Sequence, residues 1–356
     1  MIRLLCVATA AATLLGYAPA TAAATLPPCV ATEMAAQGFS GAVYAARDGR
    51  PVVSETRGRV AGPSSAAITP ETTFNVGSLN KMFTAVAIGQ LVDAGKVRFD
   101  DPLGRRLPGL PPALAAVTIH QLLTHTSGAG NYFVPKNRAV IAAARTAADL
   151  VPLISAEPLE FAPGSKQAYS NSGFVLLGAV VEKVSGLAYE QYVAEHVFRP
   201  AGMGSTSLRR GADAAVPMTR MDPATGTRSG ELRPSPMAGA FGSPAGGGFS
   251  TVGDLARFAE ALVSNRLTRP ETTRMLTSPK AVSNGYGYGF TVAGEGDDLR
   301  IGHGGGTAGV NAELAILPAR RLVVAVLANR DPPIATKVER ALEAALIRGS
   351  CGPAPA

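Results

Sequence analysis

Ser78 and Lys81 stand three residues apart at the head of an apolar run, residues 82–92. A serine hydroxyl is a poor nucleophile until a neighbouring base takes its proton. An α-helix sets residues i and i+3 on one face with Cβ atoms about 5–6 Å apart, so an amphipathic helix here would bring the Lys81 amine to the Ser78 hydroxyl. A capping serine ahead of a solvated lysine is the plain alternative, and for an isolated S-x-x-K it is the better one. Two later stretches weigh against it. Tyr169-Ser170-Asn171 offers a phenol and an amide, and His303-Gly304-Gly305 offers an imidazole beside a backbone without side chains. Nucleophile, amine, phenol and imidazole together are the parts of an acyl-transfer site.

Rival chemistries fit less well. His120 and His125 are five apart, without the H-E-x-x-H spacing of a helical metal pair or an acidic partner nearby. They read as capping or packing residues behind the active-site loop, and His196 as a helix-face residue. No metal and no cofactor is expected. Residues 304–309 formally match G-x-G-x-x-G, but a dinucleotide site needs a helix to begin there, and residues 310–317 alternate like a strand. No G-x-S-x-G elbow occurs. Tyr286 and Tyr288, alternating with glycines, read as sheet residues near the cleft. The basic residues come as scattered pairs, Arg105-Arg106, Arg209-Arg210 and Arg320-Arg321, without aromatic interleaving. The formal charge of +7 therefore describes a solvated surface with some attraction for anionic cell-envelope material, not a nucleic-acid patch.

Positioning these groups falls to the elements around them. Arg3, the apolar residues 4–16 and the A-x-A-like Ala20-Thr21-Ala22 form an export leader over residues 1–24. Its apolar run is too short to cross about 30 Å of hydrocarbon, and no later stretch is apolar enough. Cleavage removes Arg3, taking +7 to +6. The remaining residues 25–356 belong to a chain that is 46% apolar and 17% charged, enough for a sizeable core. Asp48-Gly49 between two β-prone runs is a hairpin signal. The Ser78 helix ends at Gly95, a glycine placed to terminate it. Residues 101–279 read as helical and loop-rich, with helices at 118–123, 147–156, 174–185, 189–197 and 254–264, the last capped by a Thr251/Asp254 box. Strands return at 286–292, 299–301, 312–317 and 322–327, and a helix over 334–347 closes the chain. The expected fold is α+β: one antiparallel sheet built from both chain ends, about 25–100 and 280–356, flanked by helices and carrying a mostly helical insertion, about 101–279. That layout brings together Cys29 and Cys351, the two cysteines left after cleavage, and an exported chain favours their pairing.

In order and wording these motifs resemble the serine β-lactamase and penicillin-binding superfamily, whose elements are S-x-x-K, a middle triplet and a K-T-G-like strand. The Tyr-x-Asn form of the middle triplet looks like the class C branch, shared with D-aminopeptidases, D,D-carboxypeptidases and certain esterases. Leu122-Leu123-Thr124-His125-Thr126-Ser127-Gly128, Pro200-Ala201-Gly202-Met203 and Gly246-Gly247-Gly248-Phe249-Ser250-Thr251 look like recurrent segments of that branch. The resemblance spans most of the chain after the leader and implies a β-lactamase-like fold.

It also implies a set of roles. Ser78 attacks a carbonyl while Lys81 and Tyr169 share the proton removed. Either Lys81 is held neutral, or a cationic Lys81 depresses the pKa of Tyr169. The oxyanion sits between the backbone N–H groups of Ser78 and Gly306, and Asn171 orients substrate. Tyr169 returns the proton to the leaving group, and water releases the acyl-enzyme. His303 departs from the lysine of β-lactamases and looks more like the peptidase and esterase members. It would supply a weaker charge, near half-titrated around neutrality, and no threonine hydroxyl for a substrate carboxylate. The expectation is a monomeric exported serine hydrolase, periplasmic or secreted. Its substrates would be small esters or amides, with D-amino-acid peptides among the candidates. A class C-type β-lactamase is the alternative within the enzymes. A silent protein that binds cell-wall peptides in the same fold is the alternative outside them.

Overall fold

The computed structural model of the chain describes residues 25–62, 65–222, 225, 227–239 and 242–351. The expected leader over residues 1–24 lies outside them.

β1 (Gly41–Arg47) turns into β2 (Arg50–Arg57) through Asp48 and Gly49, whose positive φ values of 54° and 71° suit a two-residue turn matched to strand twist. Two short ladders come from the middle of the chain. β3 (Phe74–Asn75) pairs with β6 (Phe249–Ser250), and β4 (Met218–Met221) pairs with β5 (Arg228–Pro234). The C-terminal part supplies β7 (Thr291–Ala293), β8 (Arg300–Thr307), β9 (Val310–Leu317) and β10 (Leu322–Ala328). The main sheet runs β2-β1-β10-β9-β8-β7 with every pairing antiparallel, so β1 meets β10 and the two halves of the chain close one sheet. This is the α+β architecture expected from the pattern of elements.

Helices cover both faces. α1 (Pro28–Ala36) precedes the sheet; α2 (Asn80–Asp93), α3 (Ile119–Leu123), α4 (Asn171–Ser185) and α5 (Val252–Val263) come from the middle, and α6 (Ile334–Arg348) ends the fold. Along β10, Val323, Ala325 and Leu327 pack into the core shared with the middle helices, while Leu322, Val324, Val326 and Ala328 pack under α1 and α6. Burial on both faces explains why this strand is a continuous apolar run. A Cys29–Cys351 disulfide, with Cα atoms 5.9 Å apart, ties the start of α1 to the third residue beyond α6.

Several local expectations change. α2 is not amphipathic: residues 80–89 are buried on every side, because the helix is threaded through the core. α4 begins at Asn171, three residues earlier than the apolar pattern suggests, because the Ser170 hydroxyl accepts the Gly173 N–H at 3.1 Å and caps it. Of the expected strand 286–292 only Thr291 and Val292 fall in a strand, β7, since Gly285 and Gly289 turn the chain with φ of 78° and 75°. β8 instead runs through the glycines to Thr307, held by its ladder to β9. Thr251 accepts the Asp254 N–H at 3.0 Å, but the Asp254 carboxylate turns to Ser205 and Thr206, so the capping box is half formed.

Candidate active site

Gly77 brings the serine turn onto the sheet. Its φ is 52°, and a Cβ there would lie 3.1 Å from the Gly305 Cα and 3.2 Å from the Gly306 nitrogen. Only glycine permits that approach. The turn is pinned by the Asn75 side chain, which accepts the Gly77 N–H at 2.9 Å, and by exchanges with Gly247 and Gly248 at 3.1 Å each. A single 3-10 turn, Gly77–Leu79, feeds into α2 and puts Lys81 one turn beyond Ser78.

Lys81 has no solvent exposure. Its Nζ lies 3.2 Å from Ser78 Oγ and 2.8 Å from Asn171 Oδ1, and it donates to the Ala245 carbonyl. The rings of Tyr169 and Phe174 stand 4.6 and 5.4 Å away. Its hydrogen-bond partners are neutral oxygens, so burial is uncompensated and lowers the amine from 10.5 to about 7.

Tyr169 has 51% of its surface exposed, while its hydroxyl end is desolvated and faces Ser78. Burial pushes the phenol up to about 12, against the opposing pull of the Ser78 hydroxyl. Around neutrality the phenol keeps its proton and the amine is half neutral. Asn171, in the first turn of α4, spends its amide oxygen on Lys81 and donates from Nδ2 to Asn131 Oδ1 at 3.2 Å.

His303 is placed differently from expectation. Its ring is buried, with Nδ1 donating to the Gly304 carbonyl and Nε2 accepting from the Tyr286 hydroxyl at 2.8 Å. A carbonyl only accepts, so Nδ1 carries a proton, and the neutral ring then accepts at Nε2. Burial, with the nearby Lys81, lowers it to about 4. The half-titrated charge read from the sequence is therefore corrected: the reference value of about 6.5 belongs to a solvated ring. Beside it, a Cβ on Gly305 would lie 2.9 Å from the Ser78 nitrogen. With the Gly77–Gly306 approach, this sets the backbone nitrogens of Ser78 and Gly306 side by side at the serine.

The structure thus collects Ser78, Lys81, Tyr169, Asn171 and Gly306 in one cluster, with His303 buried beside it. It adds groups that sequence reasoning did not assign: the Ala245 carbonyl, Asn131 and the Tyr286 hydroxyl. Only Tyr286 had a signal, in the Gly-Tyr-Gly-Tyr-Gly run. His120 Nδ1 meets the Tyr288 hydroxyl at 2.7 Å, and His196 stacks on Tyr192 at 4.5 Å. Among the described residues no group of three or more His, Cys, Asp or Glu is arranged to hold a metal ion, and no single helix is long and apolar enough to cross a membrane.

Known proteins resemble this chain over most of its length. The family model described as Beta-lactamase matches residues 27–348. A penicillin-binding protein of Bacillus subtilis (strain 168) is 29% identical over 325 residues, covering 85% of this chain and 70% of that protein. A penicillin-binding protein from Bacillus halodurans superposes with a TM-score of 0.79 at 30% identity, covering 88% of this chain and 98% of that one. A D-stereospecific amidohydrolase from Streptomyces sp. superposes with a TM-score of 0.74 at 26% identity, covering 92% and 100%.

Proposed function

The chain belongs to the beta-lactamase family and is a serine hydrolase, and from that premise we propose that it works through an acyl-Ser78 intermediate with Lys81 as the base. The observation that carries this reading is the setting of the Lys81 amine. A neutral amine has two N–H donors and one lone pair. Asn171 Oδ1 and the Ala245 carbonyl accept the two donors, so the lone pair faces Ser78 Oγ, the one partner that has a proton to give. Tyr169, protonated and facing the same hydroxyl, is then the donor that delivers a proton to the leaving group. The Ser78 and Gly306 N–H groups receive the oxyanion, and Asn171 acts through Lys81 as well as toward substrate.

Small esters or amides are the substrates this site suits, D-amino-acid amides and peptides among them, in keeping with the D-stereospecific amidohydrolase relative. The uncharged, engaged His303 gives the carboxylate of a β-lactam no cation at that position, which favours esters and amides over a β-lactamase role. We place the enzyme outside the cytoplasm, because the leader-like N-terminus and the Cys29–Cys351 bridge both fit an oxidising compartment.

The test is turnover of p-nitrophenyl esters, D- and L-amino-acid amides, D-alanyl-D-alanine peptides and nitrocefin by chain lacking residues 1–24, with Ser78→Ala as the control. Ester or amide turnover lost in Ser78→Ala supports the reading. Nitrocefin as the fastest substrate replaces it with a β-lactamase, and binding without turnover replaces it with a silent receptor.

A further inference from the structure

His125 is spent on neither metal nor substrate, yet it carries two features that a packing residue would avoid. Its backbone is left-handed, with φ 59°, a conformation that non-glycine residues adopt at a cost. Its Nε2 is buried without a hydrogen-bond partner. The turn and the ring meet at Tyr169. The His125 carbonyl accepts the Ala168 N–H at 2.9 Å, and its Nδ1 accepts the Ser170 N–H at 3.1 Å, so one residue grips the chain on either side of the tyrosine. Because Nδ1 accepts, the ring proton lies on Nε2 and the imidazole is neutral. Its ring lies under the Tyr169 ring with centroids 4.3 Å apart, and is backed by Phe174 at 5.1 Å and Tyr286 at 4.9 Å.

We propose that His125 is the positioning residue for Tyr169: the imidazole is the platform that fixes the phenol's plane, and its two acceptors fix the backbone that carries it toward Ser78. The left-handed turn is what lets the carbonyl and the ring of a single residue reach amides two positions apart. A leucine or phenylalanine would fill the space without holding Ser170. The proposal rests on the reading of Tyr169 as proton donor to the leaving group.

That dependence supplies a readout that loss of packing alone would not move. p-Nitrophenolate leaves without a proton, whereas ethoxide needs one. Esters of one acyl group with p-nitrophenol and with ethanol are compared by kcat/KM, which reports acylation alone. Tyr169→Phe sets the standard for a lost donor. His125→Ala should lower kcat/KM for the ethyl ester by about 100-fold and for the p-nitrophenyl ester by less than about fivefold. His125→Asn tolerates the left-handed backbone and keeps an acceptor for Ser170, so the ethyl-ester loss should shrink to about tenfold. Equal losses on both esters in the His125 variants, with Tyr169→Phe selective, would overturn the proposal and leave the reading of Tyr169 intact. An unselective Tyr169→Phe would overturn both. If His125→Ala does not fold, as judged by circular dichroism, His125→Asn decides on the same criterion.

Discussion

Lys81→Met should abolish turnover and alter stability by an amount that depends on pH. The buried amine titrates at about 7 in place of 10.5, and a shift of that size burdens the native state by roughly 5 kcal/mol when the lysine is charged. Because the native value lies below the unfolded one, the native state binds fewer protons between about pH 7 and pH 10.5. Wild-type stability therefore gains from this group as pH rises through that window. Methionine has similar length and no proton to bind. It leaves Asn171 Oδ1 and the Ala245 carbonyl without their donor, at about 1–3 kcal/mol each. That loss does not vary with pH, so it sets the offset and not the slope. His125 and His303, the titrating neighbours, are both lowered out of the window. From pH 7 to pH 9 the lysine burden falls by about 2 kcal/mol. Urea unfolding of both proteins at pH 7, 8 and 9 should show the stability of Lys81→Met relative to wild type falling by that amount. A relative stability of Lys81→Met that is flat, or that rises with pH, would refute the burial argument for a neutral lysine.

Gly305→Ala would put a Cβ 2.3 Å from the Val76 carbonyl and 2.9 Å from the Ser78 nitrogen; p-nitrophenyl ester assays should show kcat/KM down by about 100-fold or more as the oxyanion donors separate, and near-wild-type activity would contradict that placement. Tyr286→Phe removes the donor to His303 Nε2 and should lower unfolding free energy by about 1–3 kcal/mol; unchanged stability in calorimetry would contradict the assigned tautomer. Cys29→Ser/Cys351→Ser opens a bridge between residues 322 apart in sequence and should cost about 2–5 kcal/mol in urea unfolding, whereas an unchanged midpoint would mean that the termini need no staple.

What the sequence makes legible here is local. The Asp48-Gly49 turn lies in adjacent residues whose conformational preferences are their own, and the i, i+3 spacing of Ser78 and Lys81 is fixed by helix geometry. The two-ended sheet could be read because β1, β9 and β10 are apolar enough to register as strands. β8 could not be read to its full length, because Gly304, Gly305 and Gly306 have no side chains to make a pattern, and their strand character comes from pairing with β9. The short β4–β5 hairpin was hidden for a related reason: its residues are too mixed to alternate visibly. The charge state of His303 is not legible in the sequence, because a ring's pKa depends on what encloses it, and Tyr286, 17 positions away in sequence, is part of that enclosure. The Ala245 carbonyl, which fixes the Lys81 amine, is a backbone group with no signature in residue type at all.

On this mechanism one hydroxyl, that of Ser78, is the reactive nucleophile. Intact-mass analysis and peptide mapping after brief exposure to a fluorophosphonate probe measure it directly. A single adduct per chain is expected on the peptide containing Ser78, absent from Ser78→Ala and slowed in Lys81→Met. An adduct on any other residue, or an unmodified chain that still turns over esters, would contradict it.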